Sequence, residues 1–107
     1  MKHPILLSVL LISFVSVAQT GSITGKIVDT NKQGVSYANV LLLKAADSSF
    51  VKGAVSEENG AILFAEIPSG RYFSKASFVG FKDGYSSPFE LKDEIRIPDL
   101  MLQENSE

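Results

Sequence analysis

The strongest constraint on the fold is a regular succession of short β-prone segments from residue 22 onward, separated by clusters of turn-forming residues. Apolar and β-branched residues fill the segments, and a new segment begins about every ten residues. Nothing after the first eighteen residues shows the 3.6-residue period of an amphipathic helix. This pattern is typical of an all-β sandwich. The predicted strands are 22–29, 38–44, 49–56, 61–64, 71–81, 88–92 and 94–102.

Two of the strands have distinctive patterns. In the first strand Ile23 and Ile27 lie on one face, which predicts one buried side. The segment "ANVLLLK" at 38–44 is continuously apolar, so we expect a strand covered on both faces or nearly so.

The stretch "EENGAILFAEIPSGRY" contains two of the turns. Because Asn59 and Gly60 tolerate the positive φ that tight turns need, we expect a hairpin between the strands on either side of them. In the second turn Pro68 presets φ at the first corner, and Gly70 is expected in the left-handed conformation. The strand that follows, 71–81, is predicted to be the longest and to be central, since both of its faces are apolar in places.

The first eighteen residues have the features of a secretory signal peptide. Lys2 and His3 supply the charged start, an apolar run of 13 residues follows, and small residues precede a predicted cleavage after Ala18. A bilayer crossing takes about 20 predominantly apolar residues, so a retained anchor is the weaker alternative. The predicted organisation is a signal peptide at 1–18, a β-sandwich at 19–103 and a polar tail at 104–107.

Charge and cysteine content exclude several classes of protein. Without the signal peptide the chain has nine Lys and Arg against twelve Asp and Glu, a net charge of about −3. The basic residues are scattered singly, which argues against a nucleic-acid partner and against a polybasic membrane patch. There is no cysteine, so no disulfide stabilises the domain and packing must do so.

The residues that usually carry catalysis or metal binding are scarce. The one histidine is His3, in the predicted signal peptide, which excludes Ser-His-Asp and Cys-His catalysis and the usual ligands of zinc, copper and haem. A calcium loop would place Asn59, Gly60 and Glu66 at its fifth, sixth and twelfth positions, but its first position would be Val55, which cannot bind a cation. We therefore predict no catalytic residue, no cofactor and no metal site.

Aromatic side chains offer the one candidate ligand surface. Phe81, Tyr85 and Phe89 flank the loop "KDGYSSP", where exposed rings could stack on a sugar. There is no Trp in the chain, and core packing accounts for most of its other aromatic residues.

Several spaced motifs in order resemble the carboxypeptidase regulatory-like domain. They are "GSITGKIVD", "YANVLLL", "SEENGAILF", "IPSGRY" and "FVGF", and the similarity covers residues 21 to 102. The form at the N-terminus of TonB-dependent outer-membrane receptors is the most similar, with "DSSFVKG" and "SPFEL" also having counterparts.

The resemblance implies a seven-stranded, transthyretin-like sandwich without catalytic residues. Its motif positions would be structural: Gly25, Asp29, Ala38, Val40, Asn59, Gly60, Pro68, Gly70, Tyr72, Gly80 and Phe81. This chain departs from the family at Ser74 and Ile62, where larger apolar residues are usual, and at Leu63 and Ala65, where polar ones are usual.

The leading functional hypothesis is an exported, non-catalytic module that acts by protein–protein contact, in the periplasm or at the outer membrane. Receptors of this kind continue into a plug and a barrel, so the expectation is either a freestanding module or a truncated receptor. If a sheet edge recruits a partner strand, the first or last strand is the expected site. The alternative is a small carbohydrate-binding module, and a peptidase role is a distant third.

Overall fold

The computed structural model describes residues 19–105, which form a sandwich of two β-sheets. The all-β, transthyretin-like fold class is thereby confirmed, although the described residues form nine strands and not the seven predicted. The predicted signal peptide and residues 106–107 of the predicted tail lie outside the described residues. The strands are β1 (Thr20–Val28), β2 (Asn39–Lys44), β3 (Phe50–Val55), β4 (Ala61–Pro68), β5 (Gly70–Ser77), β6 (Gly84–Tyr85), β7 (Phe89–Leu91), β8 (Glu94–Arg96) and β9 (Leu100–Met101).

The first sheet is built around β1. This strand is antiparallel to β4 on one side and parallel to both β8 and β9 on the other. The segment predicted as one strand at 94–102 is divided, because Pro98 lacks an N–H for a sheet ladder. At the break the Ile97 side chain packs over Gly25, where a Cβ would lie 2.8 Å from Ile97 Cγ1.

The second sheet has the order β3-β2-β5-β6, and β7 also pairs with β5. The central position predicted for β5 is confirmed, but the expectation that 71–81 is the longest strand is wrong. Strand β5 ends at Ser77, whereas β1 has nine residues. The chain turns because Phe81 N donates a hydrogen bond to Phe78 O and Gly80 takes a φ of 90°.

The turn at residues 57–60 joins the two sheets. Strand β3 belongs to the second sheet and β4 to the first, so the predicted hairpin is wrong. The local conformation was predicted correctly for the glycine, since Gly60 has a φ of 89° and its N–H donates to Glu57 O at 2.8 Å. The turn is held on the first sheet because Gly60 O accepts a hydrogen bond from Ile27 N at 2.8 Å.

The turn between β4 and β5 also crosses from sheet to sheet. Gly70 is not among the residues with positive φ, so the left-handed conformation predicted for it is wrong. Instead Glu66 has a φ of 56°, in a β-bulge where Ala65 and Glu66 together face Ser22 of β1. The bulge turns the end of β4 before the chain leaves the sheet.

The core lies between the inner faces of the two sheets. From β1 it receives Ile23 and Ile27, both fully buried as predicted, and burial of each such side chain contributes about 1.5–3 kcal/mol. The two departures at which the family usually has larger apolar residues are also buried: Ile62, and Ser74, whose hydroxyl has no hydrogen-bond partner within residues 19–105. Leu63, by contrast, is 58% exposed.

Candidate functional site

The outer face of the second sheet carries an apolar row that crosses three strands. Leu43 of β2 stands opposite Phe50 of β3 and opposite Phe73 of β5, and residues directly opposite in an antiparallel pair share a face. Their chain neighbours Leu42 and Tyr72 are buried in the core, so the row points away from it. Phe50 is 63% exposed, and Leu43 and Phe73 are half-buried.

Two further rows complete this outer face. Gly53 stands opposite Leu41, which in turn faces Lys75, and Val55 stands opposite Asn39. We call Leu41, Leu43, Phe50, Val55 and Phe73 together the outer apolar face. Antiparallel sheets commonly present polar residues to water on this side, so this apolar face is the candidate contact surface of the sandwich.

The opposite side of the same outer face, towards β6, is charged. Lys75 forms an ion pair with Asp83, with 3.6 Å between Nζ and Oδ2, and its ammonium lies 5.9 Å from the centroid of the Tyr85 ring. On this side the outer face therefore combines charged groups with the exposed Tyr85 ring.

The candidate ligand surface predicted from the sequence is only partly assembled. Tyr85 and Phe89 line one cavity of about 360 Å³, together with Ser86 and Asp99. Phe81 is not part of that lining and packs on Phe78, with 5.9 Å between the ring centroids. Tyr85 and Phe89 remain a predicted ligand surface.

Several motif positions have clear structural contacts. Asp29 Oδ1 accepts hydrogen bonds from Asn31 N at 2.9 Å and Gln33 N at 3.0 Å, which closes the turn after β1. The Tyr72 hydroxyl donates to Pro68 O at 2.5 Å, and burial raises the pKa of the Tyr72 phenol above its ordinary value of 10.0. Ala38 and Val40 are fully buried.

Sequence reasoning missed Ser56. Its buried hydroxyl accepts a hydrogen bond from Ala38 N at 2.8 Å and donates one to Val35 O at 2.7 Å, so it ties the segment before β2 to the end of β3. A polar residue at a strand end gives no sequence signal that distinguishes it from an exposed turn residue.

A larger cavity, of about 650 Å³, lies at one end of the sandwich and was also not predicted. Lys44 and Arg71 line it beside mainly apolar groups such as Val51, Pro68 and Tyr72. These residues come from separate parts of the chain, and only the fold brings them together.

The arrangement offers little for metal chemistry. Residues 19–105 contain no group of three or more His, Cys, Asp or Glu side chains that could hold a metal ion. Asn59 precedes β4 and Glu66 lies near its far end, so the calcium loop considered above is not formed. In the part of the chain that the structure describes, no helix is long and apolar enough to span a membrane.

The two packed sheets and their connections place the molecule in the class of transthyretin-like β-sandwich domains. The family model of the carboxypeptidase regulatory-like domain matches residues 22–97. The chain therefore belongs to the carboxypeptidase regulatory-like domain family, which confirms the resemblance drawn from its motifs. A comparison with curated proteins finds no match.

Solved structures show the same fold at low sequence identity. The major pilin subunit BcpA of Bacillus cereus is 18% identical with a TM-score of 0.61, covering 81% of this chain and 31% of the pilin. The group B streptococcus pilus 2b backbone protein is 16% identical with a TM-score of 0.64, covering 81% and 42%. The 5-hydroxyisourate hydrolase of Klebsiella pneumoniae is 18% identical with a TM-score of 0.60, covering 80% and 92%. The chain thus spans less than half the length of either pilus protein.

Proposed function

We propose that this chain is an exported, non-catalytic module that acts by protein–protein contact in the cell envelope, like the N-terminal domain of TonB-dependent outer-membrane receptors. The observation that carries the proposal is the outer apolar face. Its row Phe50–Leu43–Phe73 presents two aromatic rings and a leucine on the solvent side of an antiparallel sheet. Aromatic residues are enriched at the buried centres of protein interfaces, and covering this row with a partner would remove it from water.

The family and the neighbours support a role in contact rather than in chemistry. Two of the neighbours are named as a pilin subunit and a pilus backbone protein. One is named as a hydrolase, so the fold by itself permits an enzyme. This chain has neither His nor Cys in residues 19–107, which removes the common nucleophile–base pairs. The predicted signal peptide supports export, and the resemblance to receptor domains supports the periplasmic side of the outer membrane.

The test is capture of an envelope protein by the tagged chain, compared between two matched variants. Phe50→Lys places a charge on the outer apolar face. The control Leu63→Lys changes a residue of the other sheet with a similar exposure, 58% for Leu63 against 63% for Phe50. We expect an outer-membrane protein to be retained by the wild type and by Leu63→Lys and to be lost with Phe50→Lys. Equal retention by both variants, or no retention by the wild type, would contradict the proposal. Thermal unfolding of both variants checks that they are folded.

One observation favours the carbohydrate-binding alternative. The cavity next to Tyr85 and Phe89 combines aromatic rings with the Ser86 hydroxyl and the Asp99 carboxylate, groups that can stack on a sugar ring and bind its hydroxyls. A glycan panel should then quench tyrosine fluorescence in the wild type, and Tyr85→Ala should abolish the effect. Tyr37→Ala is the matched control, since Tyr37 is 64% exposed and Tyr85 is 60% exposed. Flat titrations with the wild type would end this alternative.

A further inference from the structure

Strand β3 has an open edge. It is the terminal strand of the second sheet and pairs only with β2 among the described strands. Ser56 N donates to Ala38 O on the β2 side at 2.9 Å. Because N–H and C=O groups of alternate residues point to opposite sides of a strand, those of Gly53 and Val55 point away from β2, towards the open edge.

The sandwich's other edges are less suited to strand addition. Strand β4 has the bulge at Ala65 and Glu66, and the Lys52 ammonium of β3 donates to Ala65 O at 3.0 Å, so this carbonyl is not open to a partner strand. A bulge interrupts edge pairing where it lies. The bulge of β3 is at Val51 and leaves residues 53–55 regular. Strands β6 to β9 have only two or three residues each. The β1 edges are both paired, so the expectation that the first strand recruits a partner is wrong.

We propose that a second copy of this chain pairs antiparallel with β3, with Gly53 of each copy opposite Val55 of the other. The two-fold axis then passes beside Ala54, and the outward N–H and C=O groups of Gly53 and Val55 form four main-chain hydrogen bonds. The two five-stranded sheets become one continuous sheet. This is an isologous contact, in which each copy uses the same surface.

The side chains at this edge are self-complementary in shape. Val55 is 57% exposed on the outer face. Gly53 leaves a gap there, since a Cβ built on it would find no atom closer than 3.8 Å, with the Phe50 ring and the Leu41 side chain as its nearest neighbours. In the proposed register the Val55 side chain of one copy lies directly beside the gap at Gly53 of the other.

The charges also favour an antiparallel second copy. Lys52 lies near the middle of β3, and Glu57 and Glu58 follow the strand's C-terminal end. In the proposed register Lys52 stands opposite Ser56 of the other copy, so at both ends a lysine lies near the Glu57 that follows the other copy's strand. A parallel arrangement would bring the two Lys52 residues together, which is unfavourable. Within residues 19–105 of its own copy the Lys52 ammonium donates to Ala65 O and has no carboxylate partner.

The oligomeric state of the purified chain tests the proposal without any envelope partner, so its outcome is independent of the proposed function. We expect sedimentation velocity to show a monomer–dimer equilibrium at chain concentrations up to the order of 1 mM, because so small an interface gives weak association. Val55→Lys should abolish the dimer, and Leu63→Lys should not; these residues are 57% and 58% exposed on terminal strands of the two different sheets. A wild-type chain that stays monomeric would overturn the proposal. A dimer that persists in Val55→Lys but is lost in Phe73→Lys would also overturn the proposal, because such a dimer would form through the outer apolar face.

A cysteine cross-link tests the register. The chain has no cysteine, so Ala54→Cys introduces a single thiol. In the proposed register residue 54 faces its own symmetry mate as a non-hydrogen-bonded pair, with the Cα atoms about 4.5 Å apart, a separation that a disulfide can span. Oxidised glutathione should convert Ala54→Cys to a covalent dimer much faster than the control Leu63→Cys. Equal cross-linking rates would overturn the register, and unchanged melting temperatures of the reduced variants verify the fold.

Discussion

Replacing Gly60 with alanine tests how the turn between β3 and β4 is fixed to the first sheet. Gly60 has a φ of 89°, which costs an L-residue about 1–2 kcal/mol. An added Cβ would also lie 2.4 Å from Ile27 O and 2.9 Å from Gly34 Cα, both main-chain atoms that cannot rotate away. The turn must therefore move, and the hydrogen bond from Ile27 N to Gly60 O is lost, which costs about 1 kcal/mol more.

These contributions add to a loss of about 2–3 kcal/mol, a large part of the roughly 4–13 kcal/mol expected for a domain of this size. In thermal unfolding followed by circular dichroism, the melting temperature should fall by roughly 8–24 °C. Urea unfolding gives the same free energy independently.

Gly80 provides the matched control. Its φ is 90°, almost the same as that of Gly60, but a Cβ built there meets no atom within 4 Å. Gly80→Ala should therefore lose only the conformational part, about 1–2 kcal/mol, with a fall in melting temperature of roughly 4–16 °C. If Gly60→Ala were no more destabilising than Gly80→Ala, the contact with Ile27 O would not fix this turn.

Three further predictions concern single side chains. Ser74→Ala should leave the free energy of unfolding in urea unchanged or raise it by up to about 1 kcal/mol, because the buried hydroxyl has no partner within residues 19–105. Ser56→Ala removes two buried hydrogen bonds and should lower the free energy of unfolding by about 2 kcal/mol. Burial raises the pKa of Tyr72, so an unfolded tyrosine ionises first and stability should fall as pH rises from 10.0 towards the raised value; melting temperatures should show a smaller fall in Tyr72→Phe. Hydrogen bonds from the Ser49 hydroxyl and N–H lower the pKa of Asp47 below 3.8, and an NMR titration of Ser49→Ala should show that pKa rising towards 3.8.

Local features of the fold were predictable because they depend on a few neighbouring residues. Ile23 and Ile27 lie four residues apart on one face of β1, and both are buried. An Asn-Gly pair predicts a turn with positive φ, and Gly60 has it. Asp29 precedes a cluster of turn residues, and its carboxylate caps two of their N–H groups.

The pairing of strands was less predictable, because a turn's local conformation does not determine which sheet the next strand joins. The turn at 57–60 has the residues of a hairpin, yet it connects two sheets, since β4 pairs with β1 and leaves the second edge of β3 unpaired. At Glu66 the local conformation itself was not predictable. Glutamate rarely takes a positive φ, and this one does so because it lies in a bulge against β1 that no neighbouring residue in the sequence indicates.

The candidate site was hidden for a related reason. A continuous apolar run such as "VLLL" in β2 has no alternation, so it predicts a strand covered on both sides. The structure covers Val40 and Leu42 and leaves Leu41 and Leu43 half-buried on the outer face. Only the pairing of β2 with β3 and β5 shows that these leucines adjoin Phe50 and Phe73.

The parallel pairing of β1 with β8 and β9 also determines when the molecule can fold. Ile23 faces Ile95, and Ile27 faces Leu100, so β1 pairs with strands that are synthesised about seventy residues later. Closing so long a loop costs entropy before any contact compensates for it, and a nascent chain without β8 and β9 cannot complete the first sheet. Folding that waits for these two strands would leave the residues between them and β1 unfolded, the state in which a polypeptide can be threaded through a narrow pore.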